Sequence, residues 1–226
     1  MYEEHPSRLT GSVVWRRVTT PGEVRILPDG CMDLIWVAGS GLLVAGPDTR
    51  AHLVTGPPGR TMVGLRFASG VGPSILGVPA NELTNQRIEL KAIWPAADVR
   101  RLEEGLASST EPEAVLEAIA TEARRDDHRG PAIAEIAHQL RAGIPIWRVA
   151  DSLGISERQI RRRSLEVFGY GPKTLARILR LNGAIDLARS GLRFVDVAAD
   201  LGYADQAHLA RDVREFAGVP LSQLVA

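Results

Sequence analysis

Two short stretches of the sequence place long hydrogen-bonding side chains on one side of a predicted helix. In the first stretch, Arg158, Arg161 and Arg162 are separated by three residues and then by one, a spacing that puts them on one helix face. In the second stretch, Gln206 and Arg211 lie opposite an apolar stripe. Arginine can bond guanine O6 and N7 in the major groove, and glutamine can bond adenine N6 and N7. The chemistry that this pattern favours is hydrogen bonding to the edges of DNA bases.

Small residues accompany the polar ones in the second stretch. Ala207 and Ala210 keep the helix slim enough for a groove about 12 Å wide, and their methyl groups can contact thymine. Leu209, Val213 and Phe216 recur at intervals of four and three residues, which predicts the buried side of the helix. The stretch therefore predicts a helix that packs on a core and presents a base-reading surface.

The two stretches belong to an internal repeat. VADSLGISERQIRRRSLEVFG covers 149–169 and VAADLGYADQAHLARDVREFAG covers 197–218. Each copy predicts a short helix, a glycine (Gly154 or Gly202) and a second helix, and a glycine just past a helix end supplies a left-handed turn. This order is typical of the helix-turn-helix motif, whose second helix enters the major groove.

Capping residues and a long connecting helix complete the repeat. Ser156 with Gln159 predicts a capping box in the first copy, and Asp205 predicts a cap in the second. Between the copies, residues 172–191 predict one helix of about 19 residues, or about 28 Å. Since successive major grooves lie ~34 Å apart, one chain could read two of them. The predicted phosphate contacts are Lys173 and Arg214.

The first half of the chain has a different pattern. Residues 11–68 contain short β-prone runs separated by glycine and proline turns, which is typical of an antiparallel sandwich or partial barrel. Helical patterns then open with Pro95 and Pro112, and the charged stretch 124–131 predicts a linker. The predicted fold class is α+β, with a β-rich sensor or regulatory domain at 1–94, a helical dimerisation or linker region at 95–130, and an all-α DNA-binding domain at 131–226.

The composition limits the classes of protein to which the chain can belong. The single cysteine, Cys31, excludes an internal disulfide, and no apolar run approaches the 18 residues of a membrane span, so we expect a cytoplasmic protein without a membrane partner. From Pro131 onward there are 13 Lys and Arg against 10 Asp and Glu, which mildly favours a negatively charged partner. The histidines show no metal-ligand spacing, and no catalytic triad or acid–base pair is present. We therefore predict no metal, no cofactor and no enzymatic activity.

Residues 131–226 resemble the DNA-binding domain of AraC/XylS-type bacterial transcription regulators. The resemblance is carried by VADSLGIS…IRR, GYGPKTLARILRL and DVAADLGYADQAHLAR…FAGVPLSQL. It implies seven helices, with two helix-turn-helix motifs joined by a long helix. The base contacts that it implies are Arg158, Arg161, Arg162, Gln206, Ala207, His208, Ala210 and Arg211.

The N-terminal half is similar to the sensor portion of one branch of that family. The similarity is carried by ILPDGCMDLIW, LLVAGPDTRA, VGLRF and LGVPANEL. It implies a cupin-like β-fold followed by dimer-forming helices. On predicted strands, four residues are candidates for lining a ligand pocket: Trp15, Asp33, Trp36 and Arg66. A packed core with a surface ion pair would explain the same residues.

The expected function is a one-component transcription regulator, an activator or a repressor, that binds double-stranded DNA as a homodimer. A small-molecule effector would act through the N-terminal domain, and RNA polymerase would be a partner of an activator. Two alternatives stay open. In one, Cys31 is a redox sensor or a methyl-accepting thiol. In the other, the N-terminal domain only dimerises and DNA binding is constitutive.

Overall fold

The structure is a computed structural model that describes residues 2–125 and 130–225. Short strands separated by glycine and proline turns make up most of its N-terminal part. The strands are β1 (Tyr2–Pro6), β2 (Val13–Val18), β3 (Val24–Ile26), β4 (Asp33–Val37), β5 (Gly41–Ala45), β6 (His52–Val54), β7 (Thr61–Arg66) and β8 (Arg87–Glu89). The short β-prone runs predicted within 11–68 form the six strands β2 to β7, whereas β1 and β8 are additional.

The strands form two antiparallel sheets. Six of them pair in the order β1-β2-β7-β4-β5-β8, and β3 pairs with β6 in a separate two-stranded sheet. In the larger sheet, Leu65 of β7 lies between Val14 of β2 and Leu34 of β4. The β-rich N-terminal part of the predicted α+β class is confirmed.

One face of the larger sheet forms the N-terminal core. Val14, Leu34 and Leu65 point to this face and are fully buried, because side chains alternate between the two faces of a strand. Helices cover it, and Leu106 and Leu116 contribute to the same core. The helices of this region are α1 (Gly72–Leu76), α2 (Ala96–Ser108) and α3 (Pro112–Ala123), with 3-10 turns at Ala80–Glu82 and Leu90–Ala92. The predicted linker, 124–131, extends into residues outside the described ranges.

Residues 130–225 contain seven helices, as the resemblance implies. They are α4 (Gly130–Arg141), α5 (Ile146–Ser152), α6 (Glu157–Phe168), α7 (Pro172–Arg189), α8 (Phe194–Asp200), α9 (Gln206–Ala217) and α10 (Leu221–Leu224). The long helix α7 runs through their common core and buries Leu175, Ile178, Leu181 and Ile185. Within residues 2–125 and 130–225, no helix combines the length and apolar character needed to cross a membrane.

Candidate nucleic-acid interface

The helix α6 starts with the predicted capping box. The Ser156 hydroxyl accepts a 3.3 Å hydrogen bond from the Gln159 N–H, and Gln159 Oε1 accepts a 2.9 Å bond from the Ser156 N–H. Ile160 and Phe168 are buried on the inner side of the helix. Arg158, Arg161 and Arg162 are exposed on the other side. The fold therefore brings the three predicted arginines together on one accessible surface.

The helix α9 has the corresponding construction. Asp205 caps it by accepting a 2.6 Å hydrogen bond from the His208 N–H. The predicted stripe is buried, with Leu209 at 1% exposure and Val213 at 0%. The accessible residues are Gln206, Ala207, Arg211 and Arg214, with Ala210 half-buried beside them. The polar and small residues of this stretch thus share a surface that faces solvent.

His208 differs from its neighbours because it is tied into the turn before α9. Its ring packs edge-on against Tyr203, with centroids 5.2 Å apart and an interplanar angle of 87°. Its Nδ1 lies 3.4 Å from the Ala204 N–H, which donates to it. The imidazole is half-buried and orders the turn.

The helix α7 connects the two motifs along the chain. It has 18 residues, which corresponds to about 27 Å. The turns inside the motifs depend on Gly154 and Gly202, whose φ angles are 62° and 69°, in the left-handed region that favours glycine. Lys173 is exposed in the first turn of α7, where free backbone N–H groups also favour an anion.

The N-terminal domain contacts the ends of both α6 and α9. Just after α6, the Thr84 hydroxyl donates a 3.0 Å hydrogen bond to the carbonyl of Gly169. At the end of α9, the Ala51 N–H donates to the Phe216 carbonyl at 2.6 Å, and Arg25 donates to the Ala217 carbonyl at 2.8 Å. The last carbonyls of a helix have no N–H partner within the helix itself, so groups of another domain can donate hydrogen bonds to them.

A fourth contact joins the N-terminal domain to the middle of α7. The Asn182 side chain donates 3.0 Å hydrogen bonds to the carbonyl of Pro28 and to that of Ile178, one turn earlier in α7. Leu27, next to Pro28, packs against the core of the helical domain. The sequence alone does not reveal these interdomain contacts, because partners 85 to 192 residues apart leave no local pattern.

Three of the four candidate pocket residues lie together. The Trp15 indole N–H donates a 2.8 Å hydrogen bond to Asp33 Oδ1, and Arg66 Nε lies 3.7 Å from the same oxygen. Trp36 lies on the opposite face of the sheet and packs against the N-terminal core. Asp33 and Trp36 are three residues apart on β4, and an odd separation places two side chains on opposite faces.

Burial and charge compete at this cluster. Arg66 Nε lies 3.2 Å from Asp29 Oδ2, so that one guanidinium serves two aspartates. Burial raises the pKa of the Asp33 carboxyl to about 6, although Arg66 opposes the shift. The two aspartates raise the pKa of Arg66 above its ordinary value, against the effect of its own burial. The cluster therefore holds one permanent positive charge beside a carboxyl that titrates near neutrality.

The sheet face around this cluster is incompletely packed. Val13, Ile35, Leu43 and Met62 stand on the same face as Trp15, as the pairing register shows. Each is only half-buried, and none belongs to either of the two hydrophobic cores. We call this surface, with Trp15, Asp33 and Arg66, the Trp15 face. It offers apolar area beside a few polar groups, which is the composition of small-molecule sites.

Cys31 lies beside this cluster in a tight turn. Its N–H donates a 2.9 Å hydrogen bond to Asp29 Oδ1. Burial, assisted by the charges of Asp29 and Asp33, raises the pKa of the thiol well above its ordinary value. A reactive cysteine needs a lowered pKa, because the thiolate is the nucleophile. The surroundings of Cys31 therefore disfavour the chemistry that a sensor thiol requires.

Comparisons with known proteins agree with this architecture. Residues 149–226 match the model of a helix-turn-helix domain family, and residues 12–89 match a domain family of unknown function, DUF6597. No curated protein matches the chain.

Solved structures of ToxT from Vibrio cholerae share the fold of nearly the whole chain. The apo form of a ToxT variant has 13% identity and a TM-score of 0.52, with 97% of this chain and 98% of that chain covered. Wild-type ToxT bound to an unsaturated fatty acid has 11% identity and a TM-score of 0.52, covering 99% and 94%. The helix-turn-helix match is of the AraC type, and the fold joins such a domain to a β-rich N-terminal domain. The chain thus carries a helix-turn-helix domain at residues 149–226 and shares the ToxT fold over nearly its whole length.

Proposed function

We propose that this protein reads two successive major grooves on one side of DNA with α6 and α9. The observation that carries the proposal is the pair of capped helices, each with an accessible polar surface, in the two motifs that the 18-residue helix α7 connects along the chain. The length of α7, about 27 Å, approaches the ~34 Å of one DNA turn. A rigid helix between the motifs would fix their spacing on the duplex.

The proposed contacts divide by chemistry. Arginine and glutamine side chains read base edges, while small side chains allow close approach to the groove floor. Positive side chains near the helix ends bind phosphates and set the register. The base contacts are Arg158, Arg161 and Arg162 on α6 and Gln206, Ala207, His208, Ala210 and Arg211 on α9; the phosphate contacts are Lys173 and Arg214.

The test is a selection of bound duplexes from a genomic-fragment library by the purified full chain. We expect a site with two half-elements about ten base pairs apart. Arg162→Ala should lose sequence preference in one element, and Arg211→Ala should lose it in the other. Lys173→Ala should instead weaken binding to all sequences and reduce its salt dependence. Selection of no common sequence, with or without cell extract, would contradict the proposal.

We infer that a small-molecule effector binds on the Trp15 face. The half-buried apolar residues of that face and the Trp15–Asp33–Arg66 cluster support this inference. A ToxT structure contains an unsaturated fatty acid. Here Arg66 is already paired with two aspartates, which favours a neutral or cationic ligand over a simple anion. Screening of small molecules by thermal shift, repeated with Trp15→Phe and Arg66→Gln, tests this site. A ligand that shifts the melting temperature of both variants as much as that of the wild type would show that the effector site lies elsewhere.

The remaining expectations concern assembly. We propose a cytoplasmic homodimer formed through the region 95–130, which contacts RNA polymerase if it activates transcription. Sedimentation of the full chain with charge-reversal substitutions on the exposed side of α2, such as Arg101→Glu, tests this dimer. If DNA affinity stays constant across all ligands, the N-terminal domain only dimerises and binding is constitutive. If alkylation or oxidation of Cys31 changes DNA affinity, the thiol is the sensor.

A further inference from the structure

Asp212 is a buried carboxylate on α9, directly after the exposed Arg211. Only 4% of its surface is accessible. Its two oxygens meet two arginines of α7: Arg177 donates to Oδ1 at 2.9 Å, and Arg180 donates to Oδ2 at 3.5 Å. Residues three apart in a helix share a face, so α7 presents both guanidinium groups to the same carboxylate.

Both arginines have further contacts around α9. Arg177 also donates to Glu215, at 3.1 Å and 2.5 Å, and its guanidinium lies 4.7 Å from the centre of the Phe216 ring. The guanidinium of Arg180 lies 4.1 Å from the centre of the Tyr203 ring. Hydrogen bonds to Glu215 and Asp212 raise the pKa of Arg177, which stays charged. Contacts to α7 therefore extend from the turn before α9 to its last turn.

These contacts are directional, whereas the apolar contacts of the same helix are not. Burial of Leu209 and Val213 holds α9 against the core but tolerates small rotations about the helix axis. Charge-assisted hydrogen bonds to both oxygens of one carboxylate restrict that rotation, because their strength depends on angle and distance. A few degrees of rotation would move the accessible side chains relative to the bases.

We infer that Asp212, held by Arg177 and Arg180, is a positioning residue that sets the rotation of α9 and so aims Gln206 and Arg211. The inference rests on the proposed function, since it assumes that α9 reads bases. In the first motif the equivalent position of α6 holds Arg163, 49 residues before Asp212. An arginine cannot accept hydrogen bonds from other arginines. Loss of the contacts between Asp212 and the two arginines should therefore affect only the half-element that α9 reads.

The test compares Asp212→Asn with Glu215→Gln in the full chain. Each variant removes one of the two negative charges that pair with Arg177. The two positions differ in burial, because 51% of the Glu215 side chain is exposed whereas Asp212 is buried. Each variant selects duplexes from a random-sequence library. We expect Asp212→Asn to lose about tenfold discrimination in the α9 element, on the scale of one base contact, and to retain the α6 element. Glu215→Gln should retain both.

Hydrogen exchange of the full chain gives a readout that needs no DNA. Asp212→Asn should speed exchange of the α9 amides and leave those of α6 unchanged. If Asp212→Asn does not fold, Arg180→Lys replaces it, since lysine keeps the charge but loses the planar fork. Unchanged α9 exchange, or equal loss in both half-elements, would overturn the inference. Wild-type selection of no sequence would contradict the proposed function instead, and altered α9 exchange would then still support the positioning role.

Discussion

Gly70 of the N-terminal domain packs directly against Phe168 at the end of α6. A Cβ at Gly70 would lie 2.8 Å from Phe168 Cε1 and 2.5 Å from Ile133 Cγ2, closer than real contacts allow. The absence of a side chain at position 70 thus permits the close approach of the two domains. This close contact adds to the hydrogen bonds that the N-terminal domain makes with the ends of α6 and α9.

Substitution of Gly70 should loosen this contact. Gly70→Ala introduces both a strained φ of +83° and the steric conflict with Phe168 and Ile133. Gly59→Ala is a matched control, because Gly59 has a φ of +82° and a Cβ added there would meet nothing within 4 Å. We expect Gly70→Ala to be less stable than Gly59→Ala by roughly 1–3 kcal/mol, the usual cost of overpacking. Urea unfolding measures the difference in the free energy of unfolding. Equal losses in the two variants would show that the contact between Gly70 and Phe168 accommodates a methyl group without cost.

The Asn182 bridge should contribute to domain docking. Asn182→Ala removes the donor to the carbonyl of Pro28, a buried residue. We expect a loss of about 1–2 kcal/mol in the free energy of unfolding, since a buried carbonyl loses its partner. Gln86→Ala serves as a control, because the Gln86 side chain donates its 2.9 Å hydrogen bond to the carbonyl of Glu82 within the N-terminal domain, at an exposed position. An effect of Asn182→Ala no larger than the control's would mean that water replaces the bond.

Stability should fall as pH rises from about 4 to about 6. The Asp33 carboxyl has a pKa of about 6 in the folded chain against 3.8 ordinarily. The folded state therefore binds the proton more tightly than the unfolded chain, so deprotonation in this window favours unfolding. The expected loss is about 2 kcal/mol, at ~1.4 kcal/mol per pKa unit with a discount for partial exposure.

Asp33→Asn checks this assignment. The amide is close in shape to the neutral carboxyl and can still accept the hydrogen bond from the Trp15 indole. Chemical unfolding between pH 4 and 7 should show a flatter profile for the variant, which should exceed the wild type in stability at pH 7. A profile that keeps its original slope after the substitution would assign the pH dependence to other groups.

Cys31 should react slowly in the folded protein. Burial raises the pKa of its thiol, and a small thiolate fraction lowers the rate of alkylation. We expect iodoacetamide to label Cys31 clearly more slowly at pH 7.5 in the native chain than in urea, where the thiol is exposed to water. Mass spectrometry measures the rates, with Cys31→Ser as the unlabelled reference. Fast native labelling would restore the thiol-sensor alternative.

The sequence by itself determined the helical half of the protein. Ser156 with Gln159 and Asp205 with His208 are partners three residues apart, and Gly154 and Gly202 act through their own φ angles. Such signals are local, so they survive without knowledge of the rest of the fold. The strands β2 to β7 were predictable for the same reason, from alternation and turn residues. By contrast, β1 is an exposed edge strand, YEEHP, without an apolar pattern, and exists because β2 offers it a partner.

Only the tertiary structure decided how these parts meet. Asp212 is an ordinary charged helix residue in the sequence, and its burial between Arg177 and Arg180 depends on partners 35 and 32 residues away. Trp36 and Trp15 both lie on strands, yet pairing and packing placed them on opposite faces of one sheet. The contact of Ala51 with Phe216 likewise joins a loop and a helix end that no spacing rule connects. Long-range contacts form where surfaces fit, and this fit depends on the whole chain rather than on any one stretch.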